Sequence, residues 1–120
     1  MQKKFKFENL IIWQMAMDYG EEIYRISYCF PKEEKFNLTS QIRRAVDSIA
    51  LNISEGAIGQ SNQEFRKFIG YSIRSLAEVV TCLYKASCRN YITDNEFSKQ
   101  YEYAFNLMNM MVAFMKKISS

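Results

Sequence analysis

Apolar residues recur in steps of three and four along nearly the whole chain, and this spacing most constrains its fold. The first series consists of Ile12, Ala16, Tyr19, Ile23, Ile26 and Phe30. An α-helix has about 3.6 residues per turn, so such a series lies on one helix face that can be buried. No segment alternates cleanly with a period of two, and no Asn-Gly or Asp-Gly hairpin turn occurs. The pattern predicts an all-α fold.

One proline, the glycines and two capping motifs divide the chain into four predicted helices. Pro31 is expected to stop the first, and the second is expected to run from about residues 37–39 to Gly56. In Ser61-Asn62-Gln63-Glu64 and Thr93-Asp94-Asn95-Glu96 a hydroxyl residue precedes glutamate by three positions. Each motif predicts a capping box, so the third helix starts at the first and runs to about residue 88, and the fourth starts at the second and runs nearly to the C-terminus. Short connections favour antiparallel neighbours, and we predict an antiparallel up-down four-helix bundle, a single domain over residues 1–120.

The predicted fourth helix carries two apolar seams. One consists of Phe97, Tyr101, Ala104, Met108, Met111, Met115 and Ile118, and the other of Tyr103, Leu107, Met110 and Phe114. The seams lie about 100° apart around the helix. Either both form one wide arc that faces the core, or one packs against a neighbouring subunit. The second alternative predicts a homo-oligomer.

A polar line runs beside the apolar face of the second helix, which consists of Ile42, Ala45, Ile49 and Ile53. The members of the polar line are Gln41, Arg44, Ser48, Asn52 and Glu55. A solvated helix face usually mixes lysine and glutamate freely, whereas this line contains amides, a hydroxyl and one charge of each sign. That composition predicts a structural polar network inside the protein, with Glu78 of the third helix as a further member. The alternative is a solvated face.

The residue inventory argues against catalysis. The chain has no histidine, which excludes Ser-His-Asp and Cys-His arrangements and the Glu-x-x-His motif of di-iron bundles. The three cysteines, Cys29, Cys82 and Cys88, lack metal-type spacing and are expected to be small buried residues in a reducing cytoplasm. The adjacent carboxylates at Glu21-Glu22 and Glu33-Glu34 point about 100° apart and are expected to be solvated. We predict no catalytic, cofactor or metal site.

The sequence also predicts neither secretion nor membrane insertion. Basic residues precede an apolar stretch near the N-terminus, but Gln14 interrupts that stretch and Asp18 ends it without a small-residue cleavage site. The longest uncharged run, residues 103–115, is shorter than the roughly 20 residues of a bilayer span. A cytoplasmic protein is expected.

Basic residues permit contact with nucleic acid without requiring it. The chain has 16 basic and 13 acidic residues, a net charge of +3. Lys67, Arg74 and Lys85 fall on one face of the third helix, with Tyr71 among them as a stacking or hydrogen-bonding side chain. The candidates for nucleic-acid contact are Lys3, Lys4, Lys6, Arg66, Lys67, Tyr71, Arg74, Lys85, Lys116 and Lys117. The alternative is a solvated face that keeps the protein soluble.

A set of residues spread over nearly the whole chain carries a family resemblance. The set is Asn9-Leu10, Trp13, Ala16, Tyr24, Phe30-Pro31, Glu34, Leu38, Gln41, Arg43-Arg44-Ala45, Ser48-Ile49, Asn52-Ile53, Glu55-Gly56, Ser61, Glu64-Phe65, Phe68, Ser75-Leu76 and Glu78. It resembles the pattern of the bacterial four-helix-bundle proteins named for 23S rRNA intervening sequences.

The resemblance implies a small antiparallel bundle that assembles as a ring-like homopentamer, encoded in some bacteria within insertions of the large ribosomal RNA gene. A similar bundle serves diversity-generating retroelements as their accessory variability protein, a basic pentamer that binds nucleic acid and the reverse transcriptase. The family has no established catalytic activity. The expected function is a non-enzymatic, oligomeric binding or scaffold protein whose partner is structured RNA, DNA or a nucleic-acid-handling protein. The alternative is a purely structural, self-assembling module without nucleic acid.

Overall fold

The computed structural model describes residues 4–119, which form four α-helices and two short 3₁₀ helices. The α-helices are α1 (Ile11–Ser27), α2 (Leu38–Ile58), α3 (Asn62–Cys88) and α4 (Asp94–Lys117). One 3₁₀ helix, Lys6–Asn9, precedes α1, and the other, Lys32–Glu34, lies between α1 and α2. Residues 4–119 contain no strand. The predicted all-α fold is confirmed.

Each α-helix packs against two neighbours. Among the described residues α1 lies against α2 and α4, α3 lies against the same two helices, and the backbones of the two diagonal pairs are farther apart. The order around the bundle is therefore α1, α2, α3, α4. Neighbours run antiparallel, as shown by Phe65 near the start of α3, whose ring centroid lies 5.3 Å from that of Phe114 near the end of α4. The predicted up-down four-helix bundle is confirmed.

The predicted apolar series form the core of the bundle. Every member of the α1 series is buried, from Ile12 to Phe30. The apolar line of α2 is also buried, with Ile42, Ile49 and Ile53 completely inaccessible. These residues join side chains of α3 and α4 in one hydrophobic cluster.

Two helix ends differ from the prediction. The α1 helix ends at Ser27, before Pro31, because the last turn tightens: the Cys29 amide donates to the Ile26 carbonyl at 3.1 Å. The α2 helix continues past Gly56 to Ile58. Gly56 instead permits close packing, since a Cβ there would lie 2.7 Å from the Cβ of Phe68.

The predicted serine and threonine caps are present, but neither glutamate completes its box in the described chain. The Glu64 amide donates to Ser61 Oγ at 3.1 Å, and the Glu96 amide donates to Thr93 Oγ1 at 3.1 Å. The Glu64 carboxylate accepts from the Gln60 amide instead of the Ser61 amide. The Glu96 carboxylate lies 3.9 Å from Arg25. The hydroxyl caps therefore fix the starts of α3 and α4.

The buried stripe of α4 runs between its two predicted seams. Its members are Gln100, Ala104, Leu107 and Met111. Most flanking seam residues are partly buried, so the seams form one wide arc, although Tyr101 and Met110 remain exposed. Phe105 and Val112, which belong to neither seam, are also exposed.

The prediction that all three cysteines are buried is wrong for two of them. Cys82 is buried within α3, whereas Cys29 and Cys88 are exposed. The exposed pair lies at the ends of helices, Cys29 just beyond α1 and Cys88 at the last position of α3.

No helix within residues 4–119 has the length and apolar character needed to cross a membrane.

Candidate nucleic-acid interface

Three cations lie on one line along the outward side of α3, and we call them the α3 basic line. Lys67, Arg74 and Lys85 are all exposed. Their separations of seven and eleven residues return to nearly the same direction around a helix. At a rise of about 1.5 Å per residue, the line is roughly 27 Å long. The structure thus places the three predicted residues on one surface.

The charges of the α3 basic line are not neutralised within the described part of the chain. The ion pairs there join Arg25 to Glu22 and Glu96, Lys99 to Glu22, and Arg89 to Glu34. None includes a member of the line. Exposed Glu78, four residues after Arg74 and seven before Lys85, lies on the same side of α3 without an ion-pair contact, so cations still outnumber carboxylates there and the surface can attract an external anion.

Tyr71 lies close to this line. Its ring packs edge-on against Phe68, with centroids 5.4 Å apart and planes at 78°, and the residue is 36% exposed. A ring held in this way can stack on a base with little loss of side-chain entropy.

Arg66 differs from the α3 basic line. It is half-buried, and its Nε is buried without a hydrogen-bond partner among the described residues. It precedes Tyr84 by about five helical turns, so both lie on the side of α3 that faces α4. Arg66 therefore belongs to a different face of α3.

The remaining cations gather at one end of the bundle. Lys116 and Lys117 occupy the last turn of α4 and are exposed. Lys6 lines a cavity with Phe114 and Ile118 at the same end, and Lys4 is exposed. Lys85 lies far from this group, near the opposite end of α3. Lys3 lies outside the described residues.

The predicted internal polar network is not formed within one chain, which corrects that prediction. Arg44, Glu55 and Glu78 are exposed, and none has a hydrogen bond or ion pair to another described side chain. Gln41, Ser48 and Asn52 are half-buried, and Asn52 Nδ2 donates to the Ser48 carbonyl at 2.9 Å. The line follows the outer edge of the α2–α3 contact, where water can satisfy its charged groups.

Glu34, which was expected to be solvated, is a buried carboxylate that joins two loops. It accepts from the Tyr91 hydroxyl at 2.7 Å, the Arg89 guanidinium at 3.1 Å, the Asn37 amide group at 3.0 Å and the Leu38 backbone amide at 3.2 Å. The Tyr91 hydrogen bond is the main cause that holds the pKa of Glu34 below its usual value. Charge patterning shows this residue only as one charge within Lys32–Lys35, and its place in the family pattern does not indicate burial.

A second polar contact joins α1 to α4. Tyr19 and Tyr103 stack with centroids 4.9 Å apart, and the Tyr19 hydroxyl donates to the Gln100 carbonyl at 3.1 Å. The Gln100 side chain donates to Glu22 at 3.1 Å. Burial raises the pKa of Tyr19, and hydrogen bonds from Arg25 and then Gln100 lower the pKa of Glu22. Tyr19 and Gln100 are buried packing groups, and Tyr103 also lines a surface cavity with Lys99 and Glu102.

No cluster of cysteine, aspartate and glutamate side chains within the described range could hold a metal ion. The arrangement that remains is an exposed cationic surface on a rigid helix, which can attract a polyanion by charge.

Comparison with known proteins agrees with this fold. The family model described as 23S rRNA-intervening sequence protein matches residues 8–113. A crystal structure of a protein of unknown function from the S23 ribosomal protein family of Bacteroides thetaiotaomicron is similar, with a TM-score of 0.81 and 20% identity. The similarity covers 88% of this chain and 99% of that one. No curated protein matched.

Proposed function

The chain belongs to the family of 23S rRNA-intervening sequence proteins, and from this premise we propose that it is a non-enzymatic, self-assembling bundle that binds RNA or DNA. The α3 basic line carries this proposal, because its three exposed cations have no ion-pair partner in the described chain. Phosphate contact is expected to dominate, since no base-reading motif accompanies the line.

Self-assembly would strengthen the binding of nucleic acid to the α3 basic line. One copy of the line presents three charges over about 27 Å, which gives weak attraction on its own. A symmetric oligomer repeats the line in every subunit, and affinity for a polyanion increases with the number of phosphates engaged together. If five subunits each engage two phosphates, about ten phosphates are neutralised. Affinity should then fall by roughly 10³ to 10⁵ between 50 and 200 mM salt.

The alternative function is that of a self-assembling protein scaffold without nucleic acid. Large apolar side chains on the helices favour this alternative, because Leu51, Tyr84 and Phe105 are more than half exposed. Such side chains suit contact with protein better than contact with phosphate. The two functions therefore differ in their partner, which is nucleic acid in the first and protein in the second.

Fluorescence anisotropy with a labelled structured RNA and a DNA duplex at 50 mM salt tests the proposal. We expect binding of both, a steep loss of affinity with salt, and abolition by Lys67→Glu combined with Arg74→Glu. Lys32→Glu combined with Lys35→Glu is the matched control, because it makes the same charge change at exposed positions of the α1–α2 connection. Wild-type protein that binds neither ligand at 50 mM salt would support the scaffold alternative. Equal losses in both double variants would show that net charge, and not the α3 basic line, governs binding.

A further inference from the structure

Two exposed apolar surfaces lie on opposite faces of the bundle. The first, which we call the α1–α2 groove, is a cavity of about 490 Å³ whose apolar lining includes Trp13, Met17, Gly20, Ala50 and Leu51. The second, which we call the α3–α4 ridge, consists of Tyr84, Tyr101, Phe105 and Val112. Because the helices follow one another around the bundle, the α1–α2 face and the α3–α4 face point in opposite directions.

The α1–α2 groove leaves apolar side chains of both helices exposed. Met17 is 45% exposed and Leu51 is 58% exposed. Gly20 lines the groove in the middle of α1, and a Cβ added there would meet no atom within 4 Å. Glycine in a helix interior is destabilising relative to alanine, and no close contact in the described chain requires glycine at this position. The space beside Gly20 can accommodate a side chain of another molecule.

The α3–α4 ridge supplies side chains of the matching kind. Tyr84 packs against Phe97 and Tyr101 with centroids 4.8 and 6.3 Å away, which fixes this side of α4 against α3. Phe105 follows Tyr101 by about one turn on the same side and is 56% exposed. Three of the four ridge residues are therefore exposed aromatic side chains, whereas the groove is a cavity.

The charges beside the two surfaces are mainly of opposite sign. The charged residues that line the groove are Glu21 and Asp47, both acidic. Beside the ridge, Lys116 follows Val112 by one turn and Arg66 lies on the same line of α3 as Tyr84, while Glu102, one turn before Phe105, is the acidic exception. The Nε of Arg66 lacks a partner in the described chain. Opposite charges of this kind set orientation when two surfaces associate.

We propose that the α3–α4 ridge of one copy docks into the α1–α2 groove of a second copy. A two-fold contact uses the same patch on both subunits, so it would cover one of these surfaces and leave the other exposed. A head-to-tail contact covers both surfaces in every subunit and closes as a ring when the rotation between subunits permits. Arg66 and Lys116 then lie in the subunit contact, and Lys67, Arg74 and Lys85 stay on the outside. This inference rests on the self-assembly proposed above and names the surfaces that produce it.

Complementary single variants test the pairing. Leu51→Glu places a charge in the groove and leaves the ridge intact, and Phe105→Glu does the reverse. We expect each variant alone to sediment at the 14.2 kDa chain mass. An equal mixture should sediment at twice that mass, because one intact groove and one intact ridge can form a single contact. Phe36→Glu, an equivalent change at a residue that is 89% exposed outside both surfaces, should retain the wild-type mass.

The outcomes separate this inference from the self-assembly on which it rests. If the wild type is oligomeric and either Leu51→Glu or Phe105→Glu keeps the wild-type mass, the groove–ridge pairing is wrong but self-assembly stands. A mixture that stays at the chain mass overturns the pairing as well, and so does loss of assembly in Phe36→Glu. A wild type at the chain mass overturns both proposals. Met17→Glu and Val112→Glu repeat the test at second positions if a first variant loses its helical circular dichroism.

Discussion

The α2–α3 contact and the α1–α4 contact hold the same bundle together by different means. Between α2 and α3, Gly56 lets the backbone approach Phe65 and Phe68, and buried Ser72 donates to the Ile49 carbonyl at 2.8 Å. Between α1 and α4, the Tyr19 hydroxyl reaches the Gln100 carbonyl of the other helix. The first contact depends on close steric fit, and the second on hydrogen bonds that larger side chains donate across the contact, mainly to backbone carbonyls.

This difference has consequences for how each contact tolerates change. A close steric contact fails when volume is added, because a packed interior has little free space. A contact made by tyrosine hydroxyls loses only a modest net free energy when one hydrogen bond is removed. We therefore expect α2–α3 to be the more sensitive of the two contacts.

The largest expected effect comes from Gly56→Ala. The new Cβ would lie 2.7 Å from Phe68 Cβ and 2.9 Å from Phe65 Cδ1, so the helices must separate. We expect a loss of about 1–3 kcal/mol in the free energy of unfolding. Gly70→Ala is the matched control, since a Cβ there meets nothing within 4 Å and should stabilise α3 by about 0.5–1 kcal/mol. Urea denaturation at fixed protein concentration measures both values, and equal effects of the same sign would contradict close packing at Gly56.

A smaller effect is expected from Tyr19→Phe in the α1–α4 contact. The substitution removes the hydroxyl that donates to the Gln100 carbonyl and keeps the ring stacked on Tyr103. We expect a loss of about 0.5–1.5 kcal/mol by urea denaturation. Tyr28→Phe is the control, because Tyr28 is 76% exposed and should change stability little. A Tyr19→Phe loss that exceeds the Gly56→Ala loss would reverse the comparison between the two contacts.

The smallest effect is an acid-dependent loss of stability through Glu22 and Glu34. Hydrogen bonds lower the pKa of both carboxyls in the folded state below the ordinary value of 4.5. Their stabilisation is therefore complete above that pH and is lost as the pH falls through the lowered pKa, because the unfolded chain then binds more protons. Thermal melts from pH 6 to pH 3 should show a falling midpoint, with a flatter dependence in Glu34→Gln than in Glu33→Gln. Identical pH profiles in the two variants would show that Glu34 does not contribute.

Apolar periodicity was sufficient to predict the fold. The α1 series and the Ile42-to-Ile53 line of α2 are buried as predicted. An amphipathic helix buries its apolar face in the core regardless of which helices it packs against. The hydroxyl caps at Ser61 and Thr93 were also predictable, since capping acts within four residues. The family assignment from the sequence pattern is confirmed.

The polar contacts could not be predicted in the same way. Glu34 is buried by residues of another loop, Arg89 and Tyr91, far away in sequence. The polar line of α2 was assigned to an internal network from its composition, yet Arg44 and Glu55 are exposed in the single chain. Composition predicts that a side chain can form hydrogen bonds, but only the fold determines which partners come within reach.

The native mass of the wild-type protein tests the account most directly, because both the binding proposal and the groove–ridge pairing require self-assembly. Sedimentation equilibrium at tens of micromolar should give a mass several times 14.2 kDa, with five copies as the expected number. The mass should hold at moderate salt, since the paired surfaces are mainly apolar. A mass of 14.2 kDa across that concentration range would contradict the account.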